Sequence, residues 1–184
     1  VKELSLNILD LVQNSIKADA TEVKIKINED LDDNLLVIII KDNGNGMSKD
    51  FLENVLDPFK TTRTTRNVGL GLPLFQTAAK RCDGDLIIDS QEGEGTTVKA
   101  TFQHDHIDRA PLGNIEGTLT TIIQGNPELD IYYQHIINDQ EFVFDTKELR
   151  KKLEDIPLNE SSVIKFIREY LVENLAILKE EEIK

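Results

Sequence analysis

A chain of 184 residues, 39% hydrophobic and 30% charged, can bury a working core in one medium domain with at most a small appendage, and no apolar run in it reaches the length of a membrane span. Its formal charge of -13 disfavours nonspecific binding to nucleic acid or anionic lipid, and its single cysteine, Cys82, excludes an internal disulfide framework and any multi-thiolate metal site within one chain. The opening VKELSLNILD lacks a secretory pattern, so the expected location is the cytoplasm, with no membrane partner.

Residues 2–17 predict a helix: Leu4, Ile8, Leu11, Val12 and Ser15 recur at helical spacing without glycine or proline. Glu3, Asn7, Asp10 and Asn14 align as a second, polar face on it. TEVKIKIN (21–28) alternates as a half-buried strand, and NLLVIIIK (34–41), apolar on both faces, predicts a central one. A glycine-rich region leads to a helix with Pro73 in its first turn, Gly84 past its end and Cys82 packed near that end. DLIIDS (85–90) and TTVKATF (96–102) then form a hairpin about QEGEG. The predicted fold for residues 1–103 is an α/β sandwich, a mixed sheet with helices on one face.

Residues 104–184 predict a small α/β extension. A helix closes at Gly125 and Pro127, a hairpin turns at Asn138-Asp139, and two helices follow. The last has Asn159 as its expected N-cap and Val163, Phe166, Ile167, Tyr170, Leu171, Leu175 and Leu178 as one apolar stripe, expected to pack back on the first domain. His104 and His106 read as polar linker residues, His135 as a structural strand residue.

The chemistry gathers in KDNGNGMSKDFLENVLDPFKTTRTTRNVGLGLPL (41–74). Asp42 falls at the carboxyl end of the central strand, where ligands bind in α/β folds, and its carboxylate can accept a hydrogen bond from the exocyclic amine of adenine, where guanine presents an oxygen. Gly44 and Gly46 remove side chains where the backbone turns and a ring approaches, although such a turn taken alone also suits an ordinary hairpin. Gly69-Leu70-Gly71-Leu72 opens a helix, whose free N–H groups and positive dipole end attract phosphate. From Pro58 to Cys82 there is no acid, and Lys60, Arg63 and Arg66 with the hydroxyls of Thr61, Thr62, Thr64 and Thr65 can close over the same phosphates as a lid; the plainer alternative is a polar surface loop. Neither GxxxxGK[ST] nor GxGxxG is present.

In order, DLVQNSIKADATEV, DNGNG, GLGL and EGEGTTVKATF resemble the N box and the three glycine boxes of the GHKL superfamily of ATPases, and DPFKTTR resembles its histidine-kinase branch. The resemblance spans residues 3–103 and implies a Bergerat-type ATP-binding fold. It further implies that Asn14 ligates the magnesium bridging the phosphates, that Asp42 reads adenine with support from Thr96, and that Gly46, Gly69 and Gly71 shape pocket and lid. Asp10 and Lys60 are the candidate catalytic side chains. Asp10 stands where hydrolytic relatives carry glutamate, and this shorter carboxylate weakens a fast-hydrolase reading. The expected function is a stand-alone Mg-ATP-dependent kinase acting on a partner protein, since no dimerising phosphoacceptor hairpin precedes the N box. The alternatives are a nucleotide-sensing (ATP or ADP) subunit of a larger redox or hydrogenase complex, or a slow ATPase clamp that closes as a homodimer.

Overall fold

The computed structural model describes residues 3–57, 59 and 70–181. Six strands, β1 (Glu22–Asp30), β2 (Leu35–Asp42), β3 (Leu86–Gln91), β4 (Gly95–Gln103), β5 (Asp130–Ile137) and β6 (Gln140–Asp145), form one sheet in the order β3-β4-β2-β1-β5-β6. All neighbours are antiparallel except β1 and β5, which run parallel from Glu22 opposite Asp130 to Glu29 opposite Ile137. The sheet is therefore mixed, as expected, and it continues from the first 103 residues into the extension.

Strand alternation sends one set of side chains to a covered face: Val23, Ile25 and Ile27 from β1, Leu36, Ile38 and Ile40 from β2, Ile131 and Tyr133 from β5, all buried. Burial of each such side chain contributes about 1.5–3 kcal/mol. The helices α1 (Leu4–Lys17), α3 (Gly71–Lys80), α4 (Ile115–Gly125) and α6 (Ser161–Glu181) share this core. α1 packs on β2, α3 and α4, and α6 packs on α4 and β6, so the extension folds back as expected. Short α2 (Lys49–Leu52) and α5 (Thr146–Leu153) complete the set. No described helix is long and apolar enough to cross a membrane.

β2 is central, but not because both its faces are buried. Val37 and Ile39 lie half-buried on the open face, while Leu36, Ile38 and Ile40 alternate into the core. At the end of α3, Asp83 rather than Gly84 takes the left-handed conformation (φ 54°), and Gly84 N–H returns to the Ala79 carbonyl at 3.0 Å. Gly84 is required for another reason: a Cβ there would lie 1.7 Å from the Thr101 carbonyl oxygen on β4. Cys82 is buried beside this turn as predicted, and burial pushes its thiol pKa up.

At α6, the Glu160 carboxylate rather than Asn159 accepts the first-turn N–H of Ser162, at 2.6 Å. Val163, Ile167, Leu171, Leu175 and Leu178 are buried as predicted, but Phe166 and Tyr170 lie at the stripe's exposed margin and stack with centroids 5.9 Å apart. His104 is no linker residue. Its Nε2 lies 2.7 Å from Glu29 Oε2, His135 Nε2 lies 2.7 Å from Glu29 Oε1, and Tyr133 Oη lies 2.8 Å from His135 Nδ1. Burial alone would raise the Glu29 pKa, but the bonds from His135 and His104 outweigh it and hold the carboxyl below its ordinary range. Both histidines come from the extension, so this buried group ties it to β1.

Candidate functional site

Asp42 ends β2 on the covered face, 9% exposed. Three donors fix its carboxylate. Ser15 Oγ–H donates to Oδ2 at 2.6 Å, and the backbone N–H groups of Gly44 and Thr96 donate to Oδ1 at 2.9 and 3.2 Å. The cross-strand register explains the last bond, because Asp42 stands opposite Thr96 on β4. The Thr96 side chain itself turns to Ser90, with the two hydroxyl oxygens 2.8 Å apart.

The DNGNG loop is held by its own amides. Asn43 Oδ1 accepts from Thr21 and Glu22 N–H, both at 2.9 Å, while Asn45 N–H donates to the Ala18 carbonyl at 2.7 Å. Gly46 has φ 68°, and a Cβ there would sit 2.0 Å from the Gln91 carbonyl oxygen in the β3–β4 hairpin. Only glycine suits both the conformation and this approach.

Leu11, Asn14 and Ser15 of α1 and its cap residue Ala18 line a cleft together with Ile40, Asp42, Thr96 and Val98 of the sheet and with Gly46, Met47 and Leu72. Counted together with its open mouth, the empty space here is about 500 Å³. Apolar walls with one fixed carboxylate at the base describe a slot for a flat heterocycle that offers a hydrogen-bond donor.

Asn14 faces this cleft, and Asp10 lies one turn earlier on α1, exposed. Among the described residues the Asp10 side chain has no ion-pair partner. A Cβ on Gly71 would lie 3.5 Å from Asp10 Cβ and 3.8 Å from its Oδ2, so the first turn of α3 abuts Asp10. Among the described residues no side chain caps that turn, and it holds no acid; its first backbone N–H groups are those of Gly71 and Leu72, Pro73 having none. Leu70, the cap residue, is half-exposed, and Leu72 is buried in the cleft wall.

Of the residues singled out in the sequence, Asp42, Gly46, Leu72, Asn14 and Thr96 thus line one cleft; Gly44 does not line it but donates its N–H to Asp42, and Asp10 meets Gly71, next to the lining residue Leu72 and the cap residue Leu70. Lys60, Thr61, Thr62, Arg63 and Gly69, and the rest of the expected lid, lie outside the described residues. Sequence reading missed Ser15, which its spacing assigned to the apolar stripe; it is buried, but its hydroxyl serves Asp42. A hydroxyl in an otherwise apolar stripe was the available signal.

Residues 2–106 match the family model described as histidine kinase-, DNA gyrase B-, and HSP90-like ATPase. The chain belongs to this family. A putative sensor protein of Shewanella frigidimarina is 33% identical over 103 residues, which cover 55% of this chain and 16% of that protein. Sporulation kinase E of Bacillus subtilis is 33% identical over 104 residues, covering 55% of this chain and 13% of the kinase. The chain therefore spans less than a fifth of the length of either relative. A crystal structure of the N-terminal domain of a DNA repair protein shares the fold, with a TM-score of 0.53 at 18% identity, covering 78% of this chain and 52% of that one. The cleft lies wholly within the matched residues, and the family is one of ATP-binding, kinase-like domains.

Proposed function

We propose that this chain binds Mg-ATP in the α1–sheet cleft and transfers the γ-phosphoryl group to a side chain of a partner protein. The observation that carries this reading is the fixed Asp42 carboxylate in an apolar slot lined by Asn14, with Asp10 one helical turn away against the first turn of α3. In this reading Asp42 accepts from the adenine amine, Leu11, Ile40, Met47 and Val98 hold the ring, and the Gly71 and Leu72 N–H groups receive phosphate oxygens. Lys60, Thr61, Thr62, Arg63 and Gly69 are assigned to the phosphate lid.

The donor set fits magnesium, which takes few protein oxygens and keeps several waters: the Asn14 amide oxygen and the Asp10 carboxylate stand one helical turn apart at the phosphate end. When bound, the metal neutralises charge on the phosphates. In the transfer the bond from the γ-phosphorus to the bridging oxygen breaks, a bond to the acceptor's nucleophilic atom forms, and ADP leaves with the electron pair of the broken bond. Positioning and charge stabilisation carry most of such a reaction, so a short carboxylate at position 10 is compatible with transfer to a protein while it disfavours attack by water. Incubating the chain with γ-labelled ATP, magnesium and fractionated cell extract tests the proposal. A labelled protein that disappears with Asp42→Asn supports it, and no labelled protein in any fraction contradicts it.

One observation favours a second reading, a nucleotide-sensing regulatory subunit. The first N–H groups of α1, at Leu4 and Ser5, donate to the extension carbonyls of Pro111 and Leu112, both at 2.9 Å. The helix that carries Asp10 and Asn14 is thus capped by the extension, and a nucleotide-driven shift of α1 would reach it directly. Nucleotide-dependent binding to a host complex without any phosphotransfer would select this reading.

A further inference from the structure

The helices leave one face of the sheet open, and its centre carries charge opposite to that of the molecule. Lys24 on β1 stands directly across from Lys41 on β2, and one register step along, Lys26, Ile39 and Lys99 form a row across β1, β2 and β4. The row continues to Ile87 on β3, which is 62% exposed. Like charges placed opposite each other cost stability in a sheet. Lys24 pairs with Glu22 at 3.3 Å, whereas Lys26, Lys41 and Lys99 have no ion-pair partner among the described residues. Among the described strand residues, six acids share this face: Asp89 on β3, Glu141 on β6 and Asp30 at the far end of β1 stand at its margins, while Glu22, Asp130 and Asp145 gather with Lys147 at the Lys24 end, which leaves Lys26, Lys41 and Lys99 as the unpaired centre.

We propose that this open face docks an acidic protein surface with an apolar centre. In a chain of net charge -13, a patch of lysines on the central strands attracts a partner of limited, localised negative charge, while the acidic remainder of the molecule repels an extended polyanion. A nucleic acid or an anionic headgroup array would read charge alone and leave Ile39 and Ile87 without a counterpart. A protein with apolar residues set among acids meets both. Asp42 and the cleft lie on the covered face, so a partner here leaves the cleft mouth free. The inference does not rest on nucleotide binding or phosphotransfer, and its test needs neither.

The test is an NMR titration of the full chain with a synthetic peptide alternating Glu and Leu, a second peptide with Ser replacing Leu, and an oligothymidylate of matched charge. The Glu-Leu peptide is expected to shift the amides of Lys26, Ile39 and Lys99, to bind more tightly than the other two probes, and to weaken as salt rises. The double variant K26E/K99E lowers its affinity by about tenfold or more, and Ile87→Ser also lowers it, with unchanged thermal midpoints showing that the fold persists. Should the charge reversals unfold the chain, K26A/K99A carries the same comparison. Shifts confined to the helical face, unchanged affinity in the lysine variants, or oligothymidylate binding as tight as that of the Glu-Leu peptide would overturn the proposal.

Discussion

Ser15 Oγ lies 2.6 Å from Asp42 Oδ2, a hydrogen bond that joins the first helix to the end of a central strand. The helix that supplies the proposed phosphate end of the cleft therefore also aims the carboxylate at its base. Ser15→Ala removes one of three donors to a buried carboxylate, a loss of about 1.5–3 kcal/mol for a bond to a charged group. Adenine-nucleotide affinity should fall by roughly tenfold or more on that basis, and Ser15→Thr should retain more of it. Isothermal titration with ADP measures both, and wild-type affinity in Ser15→Ala would remove Ser15 from the site.

Asp10 tests how the proposed phosphate end is used. Asp10→Glu extends the carboxylate by one methylene, and its reach to a water in line with the γ-phosphate grows accordingly. General-base assistance contributes about 10²–10⁴-fold where geometry permits. Basal ATP hydrolysis should rise in Asp10→Glu, by about tenfold if only part of that range is realised, while ADP affinity stays close to wild type. A phosphate-release assay reads the change. Unaltered or lower turnover would mean that the short carboxylate does not limit hydrolysis.

Much of this site was legible because its signals are backbone signals. DNGNG had to turn and GLGL had to open a helix; the loop turns at Gly46, and the described part of the second stretch, Leu70 to Leu72, caps and starts α3. Ser15 was not legible, since helical periodicity records which face a residue occupies and not what its hydroxyl meets 27 positions later. The same holds for Glu29, which sits in an alternating strand where its parity assigns it to the core and nothing local announces two histidines from beyond residue 103. The extension's strands were recognisable by alternation. Their attachment as a parallel neighbour of β1 is a long-range pairing that periodicity cannot express.

The Glu29 group predicts a defined acid limb. Its folded pKa is held below the ordinary 4.5, so the stability it contributes is fully present above that value and is lost as pH falls from 4.5 through the folded pKa. Glu29→Gln should lower the thermal midpoint at neutral pH, because it weakens both histidine contacts, and should flatten the decline below pH 4.5. Melting curves of wild type and variant across that window test this. Parallel acid limbs in the two proteins would show that Glu29 does not set the acid stability.

In the proposed function Asp42 reads adenine at the base of this cleft. It is tested most directly by titrating the full chain, in the presence of magnesium, with ATP and with GTP, and by repeating the ATP titration with Asp42→Asn. One ATP site is expected, with GTP binding weaker by about 10²-fold or more as follows where a buried polar group is left unpaired, and with loss of ATP binding in Asp42→Asn at a thermal midpoint near that of wild type. Equal affinity for ATP and GTP, or undiminished ATP binding by Asp42→Asn, would contradict it.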